Sequence, residues 1–175
     1  VTSLHQYREK ILGYDVFSAE INTLLSQIAE ELFTVKPGEQ QGYLSCINAH
    51  SWVTSQADDK FRESLEEADW LVPDGSSFVL ASKFLGGKIG RRITGSEFFE
   101  AFSRAMNHRH PRIFLIGANT DLLKTVQVRM ECEFLSTKIV GTYAPPYKDI
   151  FDEEDYDNIR SVINSVGPLD ILWVG

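Results

Sequence analysis

The stretch that most constrains the fold is residues 68–75, A-D-W-L-V-P-D-G, where an apolar run stops at a proline and hands over to a carboxylate and a glycine. Trp70, Leu71 and Val72 form the short continuous apolar run expected of a parallel strand buried on both faces. Pro73 lacks a backbone donor and ends the ladder, so the chain must turn at Asp74. Gly75 permits backbone angles that other residues resist. Ser76 can cap the helix indicated by Phe78, Val79, Ala81, Phe84 and Leu85. Asp74 therefore belongs at the carboxyl end of a strand, the edge at which open α/β sheets bind ligands. Taken alone, the run leaves two roles open for it, a turn former or a crevice carboxylate.

The same alternation of short apolar runs and helical stripes continues along the chain. Residues 11–17 read as a strand, and from Ser18 a helix carries Ile21, Leu24, Leu25, Ile28, Ala29 and Leu32 at helical spacing. Residues 35–42 are a loop by their Pro and Gly content, and 43–47 a buried strand ending at Asn48-Ala49-His50. Ser55 can cap a helix with Phe61, Leu65 and Ala68 on one face. After the helix that follows Asp74 comes a loop rich in glycine and cations, residues 86–95, and Ser96 can cap a helix striped with Phe98, Phe99, Phe102 and Met106. Residues 112–116 are the next strand, followed by the small-residue turn Gly117-Ala118-Asn119 and a helix with Leu122, Leu123, Val126 and Met130. A strand over 138–143, the loop Ala144-Pro145-Pro146-Tyr147, an acidic helix over about 152–166 and a last strand over 170–174 complete the pattern. Strands alternating with helices predict the α/β class: a mostly parallel, Rossmann-like sheet with helices on both faces, in a single domain spanning residues 1–175.

At 175 residues and 43% hydrophobic content the chain can bury one substantial core. Asp and Glu outnumber Lys and Arg 25 to 17, a formal charge of -8, which argues against nucleic acid as a partner and makes any phosphate site a local one. Cys46 and Cys132 are too far apart for a zinc or disulfide pattern, so no metal and a reducing compartment are expected. Neither a signal-peptide pattern nor an apolar run long enough to span a bilayer is present, so a cytoplasmic location is expected. The chain starts with Val1 and stops at Gly175 directly after an apolar run, which predicts a truncated sequence.

If the strands are parallel, Asn48, Asp74, Gly117 and Tyr143 share one edge and can line one crevice. Three loop elements suit a phosphorylated ligand: Gly117-Ala118-Asn119 before a helix, Gly90-Arg91-Arg92, and Thr94-Gly95 before a helix. Backbone amides at helix N-termini and the arginine fork both match phosphate oxygens. Neither G-x-G-x-x-G nor G-x-x-x-x-G-K-[ST] occurs, which counts against an oxidoreductase built on the same sheet and against a P-loop. Asp155-Tyr156-Asp157 matches a metal-holding D-x-D of sugar transferases, but it lies in an acidic helix start, where carboxylates favour the dipole. His108 and His110 fit a helix C-terminus, and His50 lacks companions at metal-ligand spacing.

Six ordered motifs then carry a resemblance: Asn48-Ala49-His50, V-P-D-G at 72–75, R-I-T-G at 92–95, F-L-I-G-A at 114–118, V-G-T-Y-A-P-P-Y at 140–147 and D-I-L-W-V-G at 170–175. Together they resemble the WecG/TagA/CpsF family of bacterial glycosyltransferases from about residue 11 to 175. The resemblance implies metal-independent, inverting transfer of a sugar from a UDP-sugar to a polyprenyl-diphosphate-linked saccharide at the inner membrane face, in surface polysaccharide biosynthesis. The sugar implied is N-acetylmannosamine, its uronic acid or glucuronic acid, and the Pro145-Pro146-Tyr147 loop leans toward capsule or exopolysaccharide members. It implies Asp74 as general base, Arg92 as the group offsetting charge on the leaving diphosphate, and Asn48 as a polar group of the same pocket. Gly75, Thr94, Gly95, Gly117, Ala118, Asn119, Tyr143, Pro145 and Pro146 complete the expected substrate contacts, with no cofactor beyond the donor. Cys46 stands where the family often has a Thr, and the family's G-x-P-x-Q-E loop and basic, membrane-contacting C-terminal part do not occur in this sequence. The competing reading is a non-catalytic module that binds a nucleotide sugar or a partner; a homo-oligomer is also compatible.

Overall fold

The computed structural model describes residues 7–32, 42–148 and 150–175. The expected loop at 35–42 lies, except for Gly42, outside the described residues, as does the start of the polar N-terminal stretch. The class is α/β, with parallel strand pairs connected through helices. The chain divides into two compact units, Val1–Ala101 and Phe102–Gly175, and each is described by itself.

In the first unit, strands β1 (Arg8–Ile11) and β2 (Tyr14–Phe17) form an antiparallel hairpin where one strand over 11–17 is expected. The reason is the two-residue turn: Leu12 (φ 50°) and Gly13 (φ 97°) both take positive φ, the combination that reverses a chain with the twist of a hairpin. Helix α1 (Ile21–Leu32) buries Leu24 and Ile28, starting three residues later than expected. Strands β3 (Leu44–Ile47) and β4 (Trp70–Pro73) pair in parallel, Leu44 opposite Trp70 and Ile47 opposite Pro73. They are joined by two helices rather than one, α2 (Ala49–Ser55) and α3 (Asp59–Glu66). Ser55 does not cap a helix: it is the last residue of α2, fully buried, and its hydroxyl accepts from Tyr14 at 2.7 Å. Asp58 caps α3 instead, accepting from the Phe61 amide at 3.0 Å.

All four residues of β4 are buried, as the apolar run predicts. Helix α4 (Ser76–Phe84) follows, with Gly75 rather than Ser76 in the cap position. One hydrophobic cluster joins Val16, Ile47, Leu65, Leu71, Phe78 and Ile89, all from this unit. Burying side chains of this size contributes roughly 1.5–3 kcal/mol each before entropy is counted. Helix α5 (Gly95–Met106) begins two residues earlier than a Ser96 cap requires: Thr94 caps it, its Oγ1 accepting from the Glu97 amide at 3.2 Å.

The second unit is built on a three-stranded parallel sheet in the order β6-β5-β7, with β5 (Arg112–Ile116) central, β6 (Lys138–Tyr143) and β7 (Ile171–Val174). Ile113, Phe114, Leu115 and Ile116 are buried, so β5 carries a continuous apolar run for the reason β4 does. Helix α6 (Thr120–Glu133) connects β5 to β6, and α7 (Glu153–Ser165) leads from β6 to β7. A capping box closes the start of α7, with Asp152 and Asp155 exchanging backbone and carboxylate bonds.

Candidate functional site

The parallel register of β3 and β4 sets Asn48 and Asp74 side by side at one carboxyl edge. The Asp74 amide donates to the Ile47 carbonyl at 2.8 Å, which extends the ladder by one bond into the two loops. Gly75 turns there with φ 131°, and a Cβ on it would lie 3.5 Å from the Asn48 Cβ. A third segment joins them through the Ile93 amide, which donates to the Pro73 carbonyl at 2.8 Å. Ile93 is 1% exposed, so this anchor holds its neighbours Arg92 and Thr94 beside the same strand end. Gly95 completes the floor, since a Cβ on it would contact the Cys46 sulfur at 3.8 Å. Of the expected site residues, Asn48, Asp74, Gly75, Arg92, Thr94 and Gly95 are thereby gathered within the first unit.

Each of these side chains is occupied to a different degree. Asn48 Oδ1 accepts from the Ser51 amide at 3.0 Å while the Ser51 hydroxyl accepts from the Asn48 amide at 2.8 Å, a capping box that fixes the start of α2. The side-chain nitrogen of Asn48 has no hydrogen-bond partner among the described residues. Asp74 is half-buried, and its carboxylate meets no donor or cation among the described residues. Arg91 is ion-paired with Glu97, whereas the exposed Arg92 guanidinium has no carboxylate beside it among the described residues. The glycine-arginine loop therefore presents one committed cation and one available one.

Cys46 is the residue at this edge that motif reading underrates. Burial, and second the Asp74 charge, push its thiol up to about 11. It is thus a neutral, apolar-sided neighbour of the carboxylate at neutral pH. The signal for it in the sequence is its place two residues before Asn48 in the strand.

Helix N-termini at the edge differ in what they accept. α4 has no side-chain cap and no acidic residue in its first turn, so its leading amides are open to an anion. α5 carries Glu97 in its first turn and is capped by Thr94.

In the second unit the carboxyl edge gathers another expected set. The Gly117 amide donates to the Tyr143 carbonyl at 3.1 Å, and the Gly175 amide donates to the Ile116 carbonyl at 2.9 Å. Gly117 (φ 123°) and Ala118 (φ 51°) make the turn between them. Asn119 caps α6, its Oδ1 accepting from the Leu122 amide at 2.9 Å, so its carbonyl oxygen serves the helix. With Asp121 also in the first turn, this helix start is a poorer anion site than its sequence suggests. Pro145 is half-buried and Pro146 exposed in the segment after β6. The D-x-D pair is spent structurally: Asp155 binds Lys148 at 2.7 Å and the α7 cap, and Asp157 pairs with Arg160 at 2.8 Å.

The glycosyl transferase WecG/TagA/CpsF family matches this sequence over residues 9–175. The chain belongs to that family. Among its relatives, an N-acetylglucosaminyldiphosphoundecaprenol N-acetyl-beta-D-mannosaminyltransferase of Staphylococcus aureus (strain NCTC 8325 / PS 47) is 24% identical over 152 residues, covering 86% of this chain and 58% of the relative. A protein of the same name from Bacillus subtilis (strain 168) is 28% identical over 98 residues, 56% of this chain and 38% of the relative. The chain thus spans about half the length of the relatives it matches.

Proposed function

We propose that this chain is the donor-handling part of an inverting glycosyltransferase that moves an N-acetylmannosamine-type sugar from a UDP-sugar to a polyprenyl-diphosphate-linked saccharide. The observation that carries the reading is the half-buried Asp74 carboxylate, uncommitted among the described residues, at the carboxyl edge of the β3–β4 pair in a chain of this family. The acceptor and sugar follow the names of the relatives, which act on an undecaprenyl-diphosphate-linked N-acetylglucosamine.

In this reading the acceptor hydroxyl attacks the anomeric carbon from the face opposite the nucleotide. Its proton passes to an Asp74 carboxylate oxygen as the new C–O bond forms. The bond from the anomeric carbon to the diphosphate oxygen breaks in the same displacement, which inverts the centre. Negative charge then grows on the departing UDP, where the Arg92 guanidinium and the uncapped amides of α4 stabilise it. No step in this scheme requires a metal ion. Asn48 orients a substrate hydroxyl through its side-chain nitrogen. Gly75, Thr94 and Gly95 supply close backbone approach, and Gly117, Ala118, Asn119, Tyr143, Pro145 and Pro146 are further candidates for substrate contact on the second unit's own edge.

The decisive experiment is transfer from a panel of UDP-sugars to a synthetic lipid-linked acceptor, run beside calorimetric donor binding. Asp74→Asn is expected to lower turnover by about 10²–10⁴-fold, the usual contribution of a general base, while UDP-sugar binding survives. Near wild-type turnover in that variant overturns the base assignment. Donor binding without transfer in the full-length protein favours the binding-module reading.

A further inference from the structure

The outer face of α4 carries a surface that the transfer chemistry does not use. Phe78 and Ser82 turn into the core, 1% and 0% exposed, whereas Leu80 and Phe84, four residues apart and so on one face, are 55% and 82% exposed. Leu85, just past the helix, is 68% exposed. Ser76, Ser77, Val79, Leu80 and Lys83 line a shallow depression running from the Asp74 end of the helix toward these side chains. Isolated exposed apolar residues are ordinary, but three large ones in six positions form a patch.

The charge around it departs from that of the chain. Residues 83–92, K-F-L-G-G-K-I-G-R-R, hold four cations and no acid, in a sequence of net charge -8. Arg91 is committed to Glu97, and the Glu9 carboxylate accepts from the Lys88 and Ile89 amides, so it is held by backbone under the loop. Lys83 and Lys88 are exposed beside Phe84 and Leu85, with no ion pair among the described residues.

We propose that the end of α4 and the 85–88 loop dock on an anionic lipid surface, Phe84 and Leu85 entering the interface and Lys83 and Lys88 lying against lipid phosphates. An aromatic and aliphatic face flanked by lysines is the chemistry that binds such surfaces. Lipid supplies both charge and hydrocarbon, which matches a patch that sets exposed lysines beside exposed apolar side chains. Docking this way sets the membrane about 12 Å along the helix from the Asp74 turn, at 1.5 Å per residue. The proposal rests on the reading that the acceptor is lipid-linked, and it locates where that acceptor arrives.

The test is sedimentation of the purified full chain with vesicles of equal parts phosphatidylglycerol and phosphatidylcholine, beside pure phosphatidylcholine. Binding is expected on the anionic vesicles, weaker on the neutral ones and weakened by salt. Lys83→Ala with Lys88→Ala is expected to lower anionic-vesicle affinity about 30-fold, from roughly fivefold per cation. Phe84→Ser with Leu85→Ser is expected to lower it by about tenfold or more, because lost apolar burial removes a comparable or larger increment. Both pairs are exposed, and circular dichroism checks that the fold is kept. Unchanged vesicle binding in either double variant overturns the proposal, as does absence of wild-type binding, including the case in which the patch instead mediates self-association seen by sedimentation equilibrium. Transfer to a water-soluble short-chain acceptor separates the two readings. Its loss in wild type with vesicle binding intact defeats the transferase reading alone. Its retention in Phe84→Ser/Leu85→Ser, with loss of transfer to vesicle-borne acceptor, supports docking.

Discussion

At the scale of single residues, the edge formed by β3 and β4 separates groups that the sequence leaves equivalent. Arg91 and Arg92 are adjacent cations in one loop, yet only Arg91 is tied to Glu97. Arg92→Ala should therefore weaken UDP binding by about tenfold to a hundredfold, the range for a lost charge-assisted bond, and Arg91→Ala by much less. Equal losses by calorimetry would show that the Glu97 pair does not hold Arg91 away from the ligand. Cys46 offers a readout of the carboxylate that needs no substrate. With its thiol raised from 9.0 to about 11, alkylation of Cys46 by iodoacetamide should climb with pH toward a midpoint near 11. Removing the Asp74 charge by Asp74→Asn should move that midpoint down and speed alkylation at pH ~9. An unmoved midpoint would mean the two side chains do not feel each other. The linkage has the matching sign: the folded thiol holds its proton more tightly than the unfolded one, so this contribution to stability is full below pH 9.0 and is lost as pH rises toward about 11.

At the scale of elements, the turn after β5 shows how little freedom a site edge has. A Cβ on Gly117 would overlap the Gly175 carbonyl oxygen, and its φ of 123° is one that side chains resist. Gly117→Ala should cost about 2–4 kcal/mol and lower the melting temperature by about 4–16 °C, at roughly 2–4 °C per kcal/mol for a chain of this size. A melting curve superimposable on wild type would mean that the turn re-forms without strain. The elements that could be read from sequence are those whose ends carry chemistry of their own. β4 stops at Pro73, β5 at Ile116 just before Gly117, and β6 has the bounds 138–143 read for it. The hairpin at 8–17 could not be read, because its turn relies on Leu12 adopting positive φ and carries no Asn-Gly or Asp-Gly signal. α2 was equally hidden: A-H-S-W-V-T-S is seven residues with no stripe, made helical by the Asn48–Ser51 capping box rather than by periodicity. That box also shows why Asn48 could be named from a motif without its capping role being visible, since capping partners are known only once the helix start is.

At the scale of the whole molecule, a chain of net charge -8 keeps an arginine with no carboxylate beside it among the described residues, Arg92, in the short loop that Ile93 pins to β4. The position of that loop and of the turn at Asp74 was legible because glycine, arginine and proline are local signals, whereas the pairing of Arg91 with Glu97 depends on how α5 leaves the loop. The division of the chain was not visible in hydrophobic patterning, since both units use the same strand-and-helix alternation. It has an energetic consequence. The cluster around Leu65, which is 1% exposed, draws all its members from the first unit, including Val16, Ile47, Leu71 and Phe78. Leu65→Ala leaves a cavity there and should cost about 2–5 kcal/mol. The loss should fall first on the elements that line the cavity. Hydrogen exchange is expected to show the amides of Ile47 and Val72 losing protection by a larger factor than those of Phe114 and Leu115 on β5. Equal loss at all four amides would show that the two cores open only together, and that the Asp74 edge shares its stability with the whole chain.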